Sequence, residues 1–130
     1  LSVDNMNKAV SLAADHFDIS IPEFTVIGYA EDGFFTHKWF IGTDQPVDRL
    51  ALQTFIDQAI KQLNDDYATE RKAALRNVKF EILPVSTFYQ FMKATGKMGA
   101  QNKFPRVIKG PMMEVWQTFV DANRQVNHRS

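Results

Sequence analysis

A chain of 130 residues, 45% hydrophobic and 23% charged, is long enough for one globular domain that buries about two thirds of its unfolded surface. Fifteen basic and fifteen acidic residues cancel, which argues against a general polyanion binder; the absence of cysteine excludes a disulfide framework, thiol catalysis and a thiolate metal site. No apolar run reaches the length of a membrane span and no signal peptide opens the chain, so a cytoplasmic protein is expected. Leu1 stands where a methionine would begin a gene product, so the chain is expected to be a piece of something longer.

Ser2 or Asp4 is suited to cap a first helix, whose apolar positions are Met6, Val10, Leu12, Ala13 and Phe17. That helix is expected to end near His16 or Phe17. His16 has no second ligand at metal spacing and reads as a surface histidine. Glu23 to Ala30 reads as a strand, Asp32-Gly33 as a tight hairpin turn, and Phe34 to Ile41 as the return strand. Phe35, His37, Trp39 and Ile41 share one face of the return strand. They suit either a core face packed against a helix or a base-stacking platform, the core face being the normal use of a small sheet. His37 has no acid or metal partner in its vicinity and receives no catalytic role.

Gly42 to Pro46 turns the chain into a long helix, with Pro46 at its first position and Asp48 in its first turn. Its stripe runs through Leu50, Leu52, Phe55, Ile56, Ala59, Ile60 and Leu63. The polar run Asn64 to Arg71 leaves two outcomes open over residues 47–75: an exposed continuation or a break near Asn64. On a continuous helix Tyr67 and Arg71 share a face. Asp65 and Asp66 diverge by about 100 degrees on a helix and make a poor carboxylate pair. Asn77 to Leu83 alternates as a third strand, stopped by Pro84. Ser86 suits the N-cap of a short helix carrying Phe88, Phe91 and Met92, and Gly96 its left-handed C-cap. A last helix follows Gly110-Pro111 with Met112, Met113, Val115, Trp116, Phe119 and Val120, and a frayed polar tail is expected from Asn123.

The fold class expected is α+β, a two-layer α/β sandwich in the order α-β-β-α-β-α-α. Its small, mainly antiparallel sheet has three to four strands. It forms a single domain over residues 1–130. There is no phosphate-binding loop, no dinucleotide fingerprint and no nucleophile elbow, and the three histidines are scattered, which excludes an evident zinc site.

One stretch lacks any helix or strand period. Gly96 to Arg106 carries three cations and no acid, and Lys93 to Lys109 holds five cations before the next acid, Glu114. A local cationic loop on a neutral chain suits an anion, or serves only solubility. A second class of reading is a non-catalytic binding or interaction module. It would use the basic loop 96–109 for single-stranded nucleic acid, or Met112, Met113 and Trp116 for a partner surface.

The residues then resemble a family. Leu63-Asn64-Asp65-Asp66-Tyr67 with Arg71, Thr87-Phe88-Tyr89, Gly96-Lys97, and Gln101-Asn102-Lys103-Phe104-Pro105-Arg106 resemble the C-terminal domain of the auxin-responsive acyl acid amido synthetases. Lys8-Ala9-Val10, Glu23-Phe24-Thr25, and His37 with Trp39 fit the same domain, so the resemblance covers nearly the whole chain. Asn102 departs from the aromatic usual in plant members, which suggests a bacterial one.

The resemblance implies an adenylate-forming ligase. Such enzymes use Mg-ATP to turn a carboxylic acid into an acyl-adenylate, and an amino acid amine then forms the amide. ATP and Mg are held mainly by an N-terminal adenylation domain that these residues do not include. The acyl acid and amino acid are the substrates, with no nucleic acid or membrane partner. The small domain closes over the larger one and changes orientation between the half-reactions. By the family pattern Lys103 reaches the active site. Arg106, Gln101 and Lys97 support phosphate binding, and Tyr67 and Arg71 brace the loop. The isolated domain is expected to be inactive.

Overall fold

A computed structural model describes residues 1–96 and 103–129 of the chain. Helix α1 (Val3–Phe17) opens on a capping box. The Ser2 hydroxyl accepts from the Asn5 N–H, and the Asn5 side chain accepts from the Ser2 N–H, satisfying two donors that the first turn leaves free. Strands β1 (Glu23–Glu31) and β2 (Phe34–Gly42) form the expected hairpin. Asp32 and Gly33 both adopt positive φ, 53° and 81°, the geometry whose twist matches that of two antiparallel strands.

The long helix breaks at Asn64 into α2 (Arg49–Leu63) and α3 (Asp65–Ala73). Asn64 is extended, and its side-chain oxygen accepts from the Tyr67 N–H, so it caps the new helix, with Asp65 and Asp66 favourably placed in the first turn. The start of α2 differs from the expectation that Pro46 opens it. Asp48 is the N-cap, accepting from the Ala51 N–H at 2.8 Å, and Pro46 lies outside.

The α2–α3 excursion matters for topology. It is long enough to return the chain parallel to β2, and β3 (Leu75–Leu83) pairs in that sense, Trp39 opposite Phe80 and Ile41 opposite Ile82. The sheet order is β1-β2-β3, with one antiparallel and one parallel pair, so the sheet is mixed rather than mainly antiparallel. β3 also begins two residues before the expected Asn77. The expected element order stands, with the central helix in two pieces.

The α+β class holds, but helices cover both faces of the sheet, so the expected two-layer sandwich has a third layer. Phe24, Val26, Trp39, Ile41, Val78 and Phe80 pack against α1 and α2. Ile27, Phe40 and Leu83 pack on the other side against α4 (Val85–Ala94) and α5 (Met112–Arg129). A sheet buried on both faces needs apolar residues at consecutive positions, and Trp39-Phe40-Ile41 is such a run, fully buried.

Three end effects also differ from expectation. Ser86 is not the cap of α4: Pro84 occupies that position, and Asp44 from the β2–α2 turn accepts the Val85 N–H. The tail beyond Asn123 is helical to Arg129, because Arg124 pairs with Glu81 of β3 and Asp121, and the Asn123 side chain donates to the Phe119 carbonyl. Phe35 is 45% exposed, near the hairpin end, instead of joining Trp39 in the core.

Candidate functional site

The descent from α4 into the cationic loop begins at Gly96, whose φ of 74° suits glycine after a helix end. The described chain resumes at Lys103, and from Phe104 onward the loop is fastened to the body. The Phe104 ring is buried among Phe88, Phe91 and Trp116, with ring centroids 4.9, 6.0 and 5.0 Å away. The Thr25 hydroxyl donates to the Pro105 carbonyl at 2.8 Å. The Val26 N–H donates to the Arg106 carbonyl, and the Val26 carbonyl accepts from the Ile108 N–H. Residues 106–108 thus form a one-bridge parallel addition to the outer edge of β1.

Arg106 is occupied by this fastening. Its Nη1 donates to the Glu23 carboxylate at 3.3 Å and to the Phe24 carbonyl at 3.2 Å, and its guanidinium carbon lies 4.6 Å from the Phe24 ring centroid. Burial pushes the Glu23 carboxyl above its usual range, against the opposing pull of Arg106. Arg106 therefore reads as the anchor of the loop rather than as a free phosphate ligand.

Lys103 is in the opposite condition. It is exposed and has no hydrogen bond or ion pair among the described residues. Its side chain borders a recess of about 250 Å³ lined by Phe91, Met92, Thr95 and Pro105. Lys97 and Gln101, the other two loop residues expected to act, lie outside the described residues.

Tyr67 and Arg71 come together, but not around the loop. Both are on α3, in the layer across the sheet from Phe104, and both meet Asp57 of α2. The Tyr67 hydroxyl donates to Asp57 Oδ1, and Arg71 makes a two-pronged contact with the same carboxylate at 3.0 and 3.2 Å. Arg71 also donates to the Leu75 carbonyl, and Lys61 sits 3.3 Å from Asp57. Burial alone would raise the Asp57 pKa, but the bonds from Arg71 and Tyr67 outweigh it and hold the carboxyl below its usual range. Burial and the same hydrogen bond push the Tyr67 phenol up. These residues lock the α2–α3 turn onto β3, and their hydrogen bonds go to no described loop residue.

Asp57 was missed in the sequence because it follows Ile56 at the flank of an apolar stripe, and its partners lie 10 and 14 residues on, beyond a helix break. Thr25 and Glu23 were missed as contacts of the loop because roughly eighty residues separate them from it. Trp39 and Phe80 stack on each other with centroids 5.3 Å apart and are buried, so they cannot serve as a base-stacking platform. Trp116 is also fully buried and does not face a partner. Among the described residues no group of His, Asp or Glu could hold a metal ion, and no helix is long and apolar enough to cross a membrane. An ammonium such as that of Lys103 suits a phosphate oxygen, whereas no described set of carboxylates suits magnesium.

A three-stranded mixed sheet between two helical layers, with a cationic loop fastened along its edge, is an α+β architecture that other proteins share. Residues 4–111 match the family described as "GH3 family C-terminal domain", and the chain belongs to that family. Two solved structures are similar to it in fold. "GH3.15 acyl acid amido synthetase" matches with a TM-score of 0.68 and 16% identity over 92% of this chain. "AtGH3.15 acyl acid amido synthetase in complex with 2,4-DB" matches with 0.65 and 16% over 92%. The chain spans 24% and 23% of the lengths of those two chains, about a quarter of each. No curated protein matches it.

Proposed function

We propose that the chain is the C-terminal domain of an ATP-dependent acyl acid amido synthetase, in which it closes over an N-terminal adenylation domain and presents Lys103 to the reacting phosphates. The family membership and the fold shared with two acyl acid amido synthetases support the enzyme class. The observation that carries the residue assignment is the contrast between the two described cations of residues 96–106, Arg106 and Lys103. Arg106 is spent on Glu23 and Phe24, whereas Lys103 is exposed and unpaired among the described residues, one position before the buried Phe104.

An ammonium held there lowers the cost of the negative charge that builds on phosphate oxygens as the carboxylate displaces pyrophosphate. The larger domain would bind ATP, Mg, the acyl acid and the amino acid. Lys97 and Gln101 would assist at the phosphates. The cysteine-free composition agrees with a cytoplasmic setting, and Asn102, in place of the usual aromatic of plant members, favours a bacterial enzyme.

ATP–pyrophosphate exchange tests this reading. In the complete enzyme Lys103→Ala should slow exchange by roughly a hundredfold, as loss of one charge-stabilising donor does, with little change in the KM for ATP. The isolated domain should show no exchange. An unaltered exchange rate in the Lys103→Ala enzyme, or strong exchange by the isolated domain, would sink the proposal.

A further inference from the structure

We propose that Thr25 and Glu23 of β1 are positioning residues for Lys103, setting where its ammonium stands by fixing the residues that follow it. This inference rests on the assignment of Lys103 made above.

Thr25 is fully buried, on the face of β1 that also carries Ile27 into the aromatic layer. Valine has the same shape and would fill that space without a hydroxyl to desolvate. The hydroxyl is instead used on a single acceptor, the carbonyl of Pro105, two residues after Lys103. Glu23 points to the same side of the strand two residues earlier, and its side chain is 14% exposed. It too is used on the loop, through Arg106. Two adjacent polar positions on one buried strand face therefore spend themselves on two consecutive loop residues.

The backbone bonds of Val26 already hold residues 106 to 108 to the strand, and Phe104 is held by its ring. What those contacts leave undetermined is the orientation of the peptide plane between them. The Thr25 hydroxyl fixes that plane through the Pro105 carbonyl, and Lys103 lies two residues upstream of it. A reacting group displaced by about 1 Å can lose a hundredfold in rate, so a bond worth little to the fold can weigh heavily on the chemistry.

The test uses the complete enzyme, with ATP–pyrophosphate exchange and thermal unfolding measured on each variant. Thr25→Val should lower the exchange kcat roughly tenfold, leave the KM for ATP within about twofold, and leave the melting temperature nearly unchanged. Thr25→Ser, which keeps the hydroxyl, should restore the rate. Glu23→Gln should give a smaller fall of the same kind. In a Lys103→Ala background Thr25→Val should have no further effect, because residues that act through one group are not additive. If Lys103→Ala slows exchange but Thr25→Val does not, the positioning role falls and the assignment of Lys103 survives. If Thr25→Val slows exchange only by unfolding the enzyme, or if Thr25→Ser fails to restore it, the role also falls. If Lys103→Ala has no effect, both readings fall together.

Discussion

The two faces of the sheet are held by different forces. On the α1–α2–α3 side the core is largely aliphatic, and its corner is closed by one carboxylate, Asp57, that collects a phenol, a guanidinium and an ammonium. On the α4–α5 side the ionic cluster is more exposed: Glu81 of β3 meets Lys38 of β2 and Arg124 of α5, which also pairs with Asp121. Six aromatic rings, Phe40, Phe88, Phe91, Phe104, Trp116 and Phe119, meet edge to face or tilted, and the cationic loop enters the body through one of them. The lesson is that ionic residues gathered in one place do not by themselves mark a chemical site. The best-connected charges build structure, and the lysine proposed to act, Lys103, is exposed and belongs to neither cluster.

Trp116→Ala should cost the most. It removes the ring against which Phe40, Phe88, Phe91 and Phe104 pack, and a buried tryptophan truncated to alanine costs about 3–5 kcal/mol. Urea unfolding of the domain checks this, and a loss under about 1 kcal/mol would mean that the aromatic layer is not a packed core.

Asp57→Asn tests the ionic knot. It leaves Arg71 half-buried without its charge partner, at a cost of about 3 kcal/mol. The pH dependence gives a second handle. The Asp57 carboxyl is held below its ordinary value in the folded state, so its contribution is full above the unfolded-state pKa of about 3.9 and is lost as pH falls through the lower folded value. Glu23 works in the reverse sense: its folded pKa is raised, so protonation favours the folded state as pH falls. Stability measured from pH 6 downward should therefore decline less steeply in Asp57→Asn than in the parent. Parallel curves would show that the carboxylate is not held as the geometry implies.

Lys103→Ala should change stability least, within about 0.5 kcal/mol, since the side chain is exposed and unpaired among the described residues. A large loss of stability would make Lys103 a structural residue and dissolve the contrast between the two faces.

Much of this was legible in the sequence where a short-range rule applies. The Ser2 cap, the Asp32-Gly33 turn and the Gly96 helix end all depend on residues within a few positions of one another, and all three stand. The break at Asn64 was half legible: an Asn followed by two acids is a cap signal, but a weak stripe beyond it left continuation open. The parallel pairing of β3 and the second helical layer depend on which face each helix returns to, which no local pattern records. For the site, the basic stretch and Lys103 stood out by charge and family pattern. The capture of Arg106 by Glu23, and of Tyr67 and Arg71 by Asp57, could not be seen, because a guanidinium in a sequence does not announce its partner.

The two margins of the sheet are closed by unlike means. Along β3, Gln53 and Arg49 of α2 donate side-chain bonds to the Val78 and Phe80 carbonyls. Along β1, the cover is main chain, the short bridge at Val107. An uncovered strand margin invites pairing with another molecule. Peeling residues 106–108 away to relocate Lys103 would therefore open a template for self-association. Under the proposed function, this small bridge therefore favours carrying Lys103 by rigid rotation of the whole domain over local rearrangement of the loop.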